Sequence, residues 1–581
     1  MQGREARRAR AVAVYDFRAG TDTRSYEYFG VHRIGERRYH FRLYAPHARS
    51  VSLCGDLMAG EALPMRAMGD GIWEADIRAD IPLEGMCYGF LLNGESFADD
   101  PYARRGFYGE RKGSVICTGS AHVWRDAAWM MARWERARID RPQNFYEVHL
   151  GSFATRGGRS NTAGDAYLNY RELGDLLARY ASDMGYTHIR LMPLTEHRSD
   201  ASHGYVADGY FAPTSRHGAP DDLRAMVDRL HREGLGVVMD LSVAVNGALG
   251  EMFRVSCPET QSFLLSAVFF WLREFHLDGL CLVGMRRWAE EGREEYEAAC
   301  RFLSFLCAAV HAEFPDVMLI AGEDIGEMTG ERSLGFDLVC HSRFAEDILR
   351  YLHAEPLRRE FLRDLPMRSV SGAWGESYLL PFSHEAVCAG HSSLFGQMNG
   401  SYLQKFRGVR LALAFQMIHP GKKMLFMGCE LGQSRTWDDT VPSDWFLADL
   451  ETHASLIRYV RALNSFYREE RCLWQDEREQ RGLSAVEAVA ERSACLLAFL
   501  RTDAAGRTLL GLFNASAEDL SCQCAVGDGA VCYREVFNSD CAVFGGGERV
   551  AAGAVIPVES GMLTLSVPAM TAVFLRADNE D

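Results

Sequence analysis

The spacing of apolar residues changes twice along this chain. From about residue 38 to 118, apolar and polar positions alternate in short runs broken by Gly and Asp. Tyr39-His40-Phe41-Arg42-Leu43-Tyr44 and Val51-Ser52-Leu53-Cys54-Gly55-Asp56 are two of them. A period of two puts every second side chain on one face, so these runs predict the strands of a small β-sandwich. From Phe145 the runs become continuously apolar and alternate with helical stretches. Strands are expected at Phe145–Val148, His188–Met192, Gly236–Asp240, Leu280–Val283, Val317–Ala321, Tyr378–Leu380 and Met424–Met427. Continuous apolar runs fit strands covered on both faces, as in a parallel βα fold. Seven strands over roughly 300 residues suit a closed (β/α)8 barrel or an open sheet, and spacing alone does not choose. After about residue 475 short strands return, at Ala494–Arg501 and Leu509–Asn514, with Cys522 and Cys524 on one face of another.

Composition narrows the class. A chain of 581 residues predicts about three domains. Its net charge of -16 argues against nucleic acid as a partner. The 16 cysteines include no CxxC pair and no zinc-like spacing, so no metal or other cofactor is expected. That usage fits a reducing compartment, and a cytoplasmic protein is expected. Residues 1–20 carry Arg4, Arg7, Arg8 and Arg10 and predict a poorly ordered arm. The apolar run Ala11–Val14 is too short for a signal peptide, and no apolar stretch approaches the length of a membrane span.

Several longer motifs are more specific. They are Gly20-Thr21-Asp22-Thr23-Arg24-Ser25-Tyr26-Glu27-Tyr28-Phe29-Gly30-Val31-His32, Tyr146-Glu147-Val148-His149-Leu150-Gly151-Ser152-Phe153, Gly204–Thr214, Gln404-Lys405-Phe406 and His419–Gln433. Over nearly the whole chain after residue 15 they resemble the bacterial glycogen branching enzymes of glycoside hydrolase family 13. The resemblance implies a (β/α)8 TIM barrel at 126–475. A carbohydrate-binding β-sandwich at 21–125 precedes it, and a C-terminal β-sandwich at 476–581 follows.

The family chemistry uses three carboxylates at the C-terminal ends of separate barrel strands. A nucleophile and an acid/base about 5–5.5 Å apart make and break a glycosyl-enzyme bond, and a third acid steadies the distorted sugar. The resemblance places the nucleophile at Val283 and its orienting Arg at Cys281, so both groups are lost here. Glu323 fills the acid/base position, with Gly322 inserted before it. Glu385 stands at the third acid, one methylene longer than the family's Asp. Tyr205, Asp240 and His384 keep positions that hold glucose in the family. The strand with Asp240 continues as Ser242-Val243-Ala244-Val245-Asn246 without the family's sugar-binding His, and the acceptor-side loop after it is nearly absent. Asp278, five residues before Val283, is expected on the opposite face of its strand. Glu290 and Glu291 lie too far along to aim at the same point.

Three functions follow. The first is a catalytically silent homologue that binds α-glucan (glycogen) or modulates an active glycogen-metabolising enzyme. The second is an active 1,4-α-glucan branching enzyme. The third is a pure protein-interaction scaffold. No nucleic-acid or membrane partner is expected.

Overall fold

The computed structural model describes residues 13–56, 61–107, 113–158, 160, 166–243, 254–326, 328–329, 333–372, 374–387, 391–475, 477, 482–490, 495–527 and 529–578. The first twelve residues of the expected arm lie outside them. So do 57–60, which follow Gly55-Asp56, and 244–253, which hold the segment after Asp240 that the sequence comparison expects to be shortened. Residues 13–19 are helical rather than an unstructured arm. Phe17 is the reason: it is buried, with its ring edge-on to Phe29 at 4.8 Å and to Tyr44 at 5.0 Å.

Eight parallel strands close a barrel in sequence order. They are β1 (Asn144–Val148), β2 (His188–Leu191), β3 (Gly236–Ser242), β4 (Gly279–Val283), β5 (Met318–Ala321), β6 (Leu338–Cys340), β7 (Tyr378–Phe382) and β8 (Lys422–Phe426). The barrel reading is therefore correct and the open sheet is excluded. β6 is the strand that periodicity missed. Its three residues are too short a run to stand out, although all three are buried.

The chain divides into two compact units. The first holds β3, β4 and β5 with the N-terminal sheets. There Arg38–Tyr44 pairs with Gly30–Gly35 and Ile72–Arg78, and Val51–Gly55 pairs with Cys87–Leu92. The alternation read from the sequence puts Tyr39, Phe41, Leu43, Val51 and Leu53 into one core with Tyr88 and Phe90. The second unit holds β1, most of β2, β6, β7, β8 and nine C-terminal strands joined in one path. In the strand Leu520–Ala525, Leu520, Cys522 and Cys524 are buried and their neighbours exposed, which is the face predicted for the two cysteines. Among the described residues no helix is long and apolar enough to cross a membrane.

A buried ionic cluster ties the first unit together at the start of β4. The His231 ring lies between two carboxylates, with Nδ1 2.9 Å from Asp126 Oδ2 and Nε2 2.9 Å from Asp278 Oδ2. Asp278 also accepts from the Trp129 indole at 2.8 Å and the Val237 amide at 2.7 Å. This settles Asp278 as a group that joins the Ala127–Ala137 and Pro220–Arg232 helices to β3 and β4, facing away from Val283. Burial alone would depress the His231 pKa, but Asp278 and Asp126 raise it from 6.5 to about 9. Burial likewise pushes Asp126 up, yet its bonds to His231 and His276 hold it at about 2.

The charged ring therefore stabilises the fold fully below pH about 6.5, and this contribution fades as pH rises through about 9. The Asp126 contribution is present above pH about 3.8 and fades as pH falls towards about 2. His231→Leu leaves two buried carboxylates without their cation and is expected to cost about 3–5 kcal/mol in urea unfolding at pH 7. It should also flatten the loss of stability between pH 7 and 9.5 that the native protein shows.

Candidate functional site

The register of β3, β4 and β5 positions the predicted residues of the first unit. Asp240 pairs with Cys281 and Ser242 with Val283. Leu282 pairs with Ala321, and the Gly322 amide donates to Leu282 O at 2.8 Å, which brings Gly322 alongside Val283. Pleating then puts Asp240, Ser242, Cys281, Val283 and Gly322 on one side. A Cβ at Gly322 would stand 2.5 Å from Val283 Cγ1 and 2.9 Å from Leu282 O. The inserted glycine thus makes room for the branched side chain that replaces the expected aspartate.

Asp240 is fully buried, and its Oδ2 accepts from the Tyr205 hydroxyl at 2.8 Å. Tyr205 is half-buried. Its loop turns through Gly204 at φ 86°, where a Cβ would meet Pro193 O at 2.5 Å. Two of the predicted sugar-holding residues are therefore joined directly.

Glu323, also half-buried, points at the backbone that follows Val283. Its Oε1 accepts from the Gly284 amide at 3.1 Å and its Oε2 from the Arg286 amide at 2.7 Å. Gly284 supplies the left-handed turn, at φ 87°, that aims these amides, and Arg286 opens the short helix Arg286–Glu290. Both carboxylate oxygens of Glu323 thus accept from backbone donors at the entry to that helix. Val283 supplies only methyl groups beside them.

The remaining predicted residues lie in the second unit, just after β7. His384 and Glu385 open the short helix His384–Val387. The buried Glu147, at the end of β1, accepts from the His384 amide at 2.8 Å and from His384 Nδ1 at 2.9 Å. Burial would push the Glu147 carboxyl up, but the attraction of His384 and its hydrogen bonds, helped by Arg190, hold it below the usual value. The bond from Nδ1 to Glu147 fixes the orientation of the His384 ring. The ring is flanked by Trp437 and Phe426, each with its centroid 6.0 Å away. The Trp437 indole donates to Ser152 Oγ at 3.0 Å. Glu385 is exposed on the same helix, in keeping with a carboxylate on a longer arm.

Sequence reasoning missed Glu147 and Trp437. Glu147 was in view inside the motif Tyr146–Phe153, and a carboxylate ending an apolar strand was the signal that marked it. Trp437 lies in the segment after Gln433, where nothing in the local pattern sets it apart.

Residues 28–103 match the carbohydrate-binding module 48 (isoamylase N-terminal domain) family. Residues 489–578 match the alpha amylase C-terminal all-beta domain. The chain is 34% identical to the 1,4-alpha-glucan branching enzyme GlgB of Albidiferax ferrireducens, over 92% of each chain. It is also 34% identical to the GlgB of Aquifex aeolicus, over 86% of each. Among solved structures, a putative alpha amylase from Salmonella typhimurium superposes with a TM-score of 0.71 at 18% identity, covering 95% of this chain and 99% of that one. That likeness speaks for the fold alone.

Gly322→Ala is expected to destabilise the native protein by about 1–3 kcal/mol through the overlap with Val283 and Leu282. The penalty should shrink in a Val283→Ala background, where only the Leu282 carbonyl still conflicts. Urea unfolding of the two single variants and the double variant measures this coupling.

Proposed function

The chain belongs to the 1,4-alpha-glucan branching enzyme family, and we propose that it is a catalytically silent member that binds α-glucan in glycogen metabolism in the cytoplasm. The observation that carries this reading is the Cys281–Val283 pair on β4. Retaining glycosyl transfer needs an oxygen nucleophile at the anomeric carbon, and methyl groups cannot form the glycosyl ester. Removing a nucleophile commonly lowers turnover by about 10⁴–10⁶-fold.

The two losses on β4 also belong together. An aspartate restored at Val283 without the arginine would be a carboxylate beside buried Asp240 with no cation to balance it. Exchanging both for uncharged residues leaves no new unpaired charge, and so a stable fold. Meanwhile Glu323 holds the Gly284 and Arg286 amides, a bonding pattern that suits a structural carboxylate. Tyr205 with Asp240, and His384 with Glu147, keep pre-positioned polar groups of the kind that hold sugar hydroxyls. Binding without turnover is the function that these groups support. The shortened chain after Asp240 takes surface away from the acceptor side, so affinity at the barrel is expected to be about micromolar to millimolar.

In glycogen-containing native gels the protein should be retarded, and Tyr205→Ala and His384→Ala should each weaken that retardation several-fold. A native protein that runs unretarded overturns glucan binding and favours a scaffold. Val283→Asp alone should give no glycosyl transfer, because Cys281 cannot orient the new carboxylate and Glu385 remains exposed. Appearance of branching in that single variant contradicts the role assigned to Cys281.

A further inference from the structure

The helix Ala127–Ala137 is anchored along one side only. Trp129 donates to Asp278 Oδ1 at 2.8 Å, and Arg133 donates through Nε and Nη2 to the two oxygens of Asp316, each at 2.8 Å. These bonds fix the rotation of the helix about its axis, so its opposite side is held outward. That side carries Met131, 88% exposed, and Trp134, 57% exposed, while Val123 just before the helix is 74% exposed. Ala127, Ala128 and Glu135 are exposed on the same side. Tryptophan and methionine gather in the centres of protein interfaces, and neighbouring apolar side chains left in water mark a docking surface.

The order of residues along this face makes it complementary to itself. Met131 lies in the middle, with the small Ala127 and Ala128 towards the N-terminus and the larger Trp134 and Glu135 towards the C-terminus. Two copies laid antiparallel about a two-fold axis at Met131 bring Met131 against Met131. They also bring Ala128 against the partner's Trp134, and Ala127 against the partner's Glu135, each pair twice. A methyl side chain leaves the room that an indole needs. The exposed Arg125, whose amide is tied to Asp228 Oδ1 at 2.6 Å, then stands next to the partner's Glu135. Glu135 meets Arg138 on its own chain at 3.6 Å with both side chains exposed, which leaves its carboxylate open to a second cation. A parallel arrangement would instead set Glu135 against Glu135 and Arg125 against Arg125.

We propose that this face is the interface of a symmetric dimer, in which a second copy of the chain docks antiparallel on the same helix. The contact is independent of the catalytic and glucan-binding readings. Glu135 in the face and a net charge of -16 oppose an anionic lipid surface. Alanines beside the indole offer a sugar no hydroxyl or amide. One helix per copy is a small contact, so the dimer exchanges with monomer at a dissociation constant of about 1–100 µM.

Sedimentation equilibrium of the full-length protein tests this with Met131→Lys, Trp134→Ala, Arg125→Glu and the double variant Arg125→Glu/Glu135→Arg. The native protein is expected to dimerise as its concentration rises. Met131→Lys sets two ammonium groups together on the axis, and Trp134→Ala removes the side chain that fills the space beside Ala128. Each should raise the dissociation constant about tenfold or more. Arg125→Glu should raise it several-fold, and the double variant should return it to within about twofold of native. That recovery reports a charge pair between copies, which a role of either residue within its own chain would not produce. Met131 is too exposed to support the core, so Met131→Lys should unfold in urea as the native protein does. A native protein that stays monomeric at about 200 µM overturns the proposal, as does a dimer that Met131→Lys leaves intact. A monomer that pellets with phosphatidylglycerol vesicles, or whose retardation by glycogen is weakened by Trp134→Ala, gives the face to lipid or to glucan and overturns it too.

Discussion

The pairing of β3, β4 and β5 is the constraint on which the site depends. It sets Cys281 against Asp240, Val283 against Ser242, and Gly322 beside Val283. A change at any one of these positions is felt by its neighbours. A valine at 283 needs a neighbour without a side chain, and Gly322 supplies it. An arginine at 281 without an acid at 283 would alter the charge balance around a buried carboxylate, and a neutral cysteine avoids this. Substitutions that look like separate losses along the sequence become one repacked layer.

The polar groups around that layer are satisfied by the protein itself. Asp240 is held by Tyr205, Glu323 by two backbone amides, and Glu147 by His384. Carboxylates bonded in this way suit holding a sugar more than shuttling a proton. Glu323 illustrates the difference. Its oxygens face the backbone amides of Gly284 and Arg286, in the chain that follows Val283.

Much of this was legible in the sequence because strand burial has a strong signature. Seven barrel strands showed as apolar runs, and Cys522 and Cys524 were assigned to one face from spacing alone. β6 escaped because three residues give no periodicity. Phe17 escaped because a short apolar run after an arginine-rich start reads as solvated until Phe29 and Tyr44 are brought against it. At the site, Val283 and Cys281 stood out only against the family pattern, since nothing in an apolar strand marks an absent carboxylate. Glu147 was hidden for the opposite reason: its partner His384 lies far along the chain, and only folding joins them. The tie between Glu323 and the Gly284 and Arg286 amides was likewise beyond sequence, because it depends on the left-handed turn at Gly284.

The central claim is that a family barrel without a nucleophile retains glucan contacts but not turnover. Its most direct test is prolonged incubation of the purified native protein with amylose, followed by debranching and chain-length analysis. The account predicts a chain-length distribution identical to that of untreated amylose. New α-1,6 branches formed by the native protein and abolished by Glu323→Gln would contradict it.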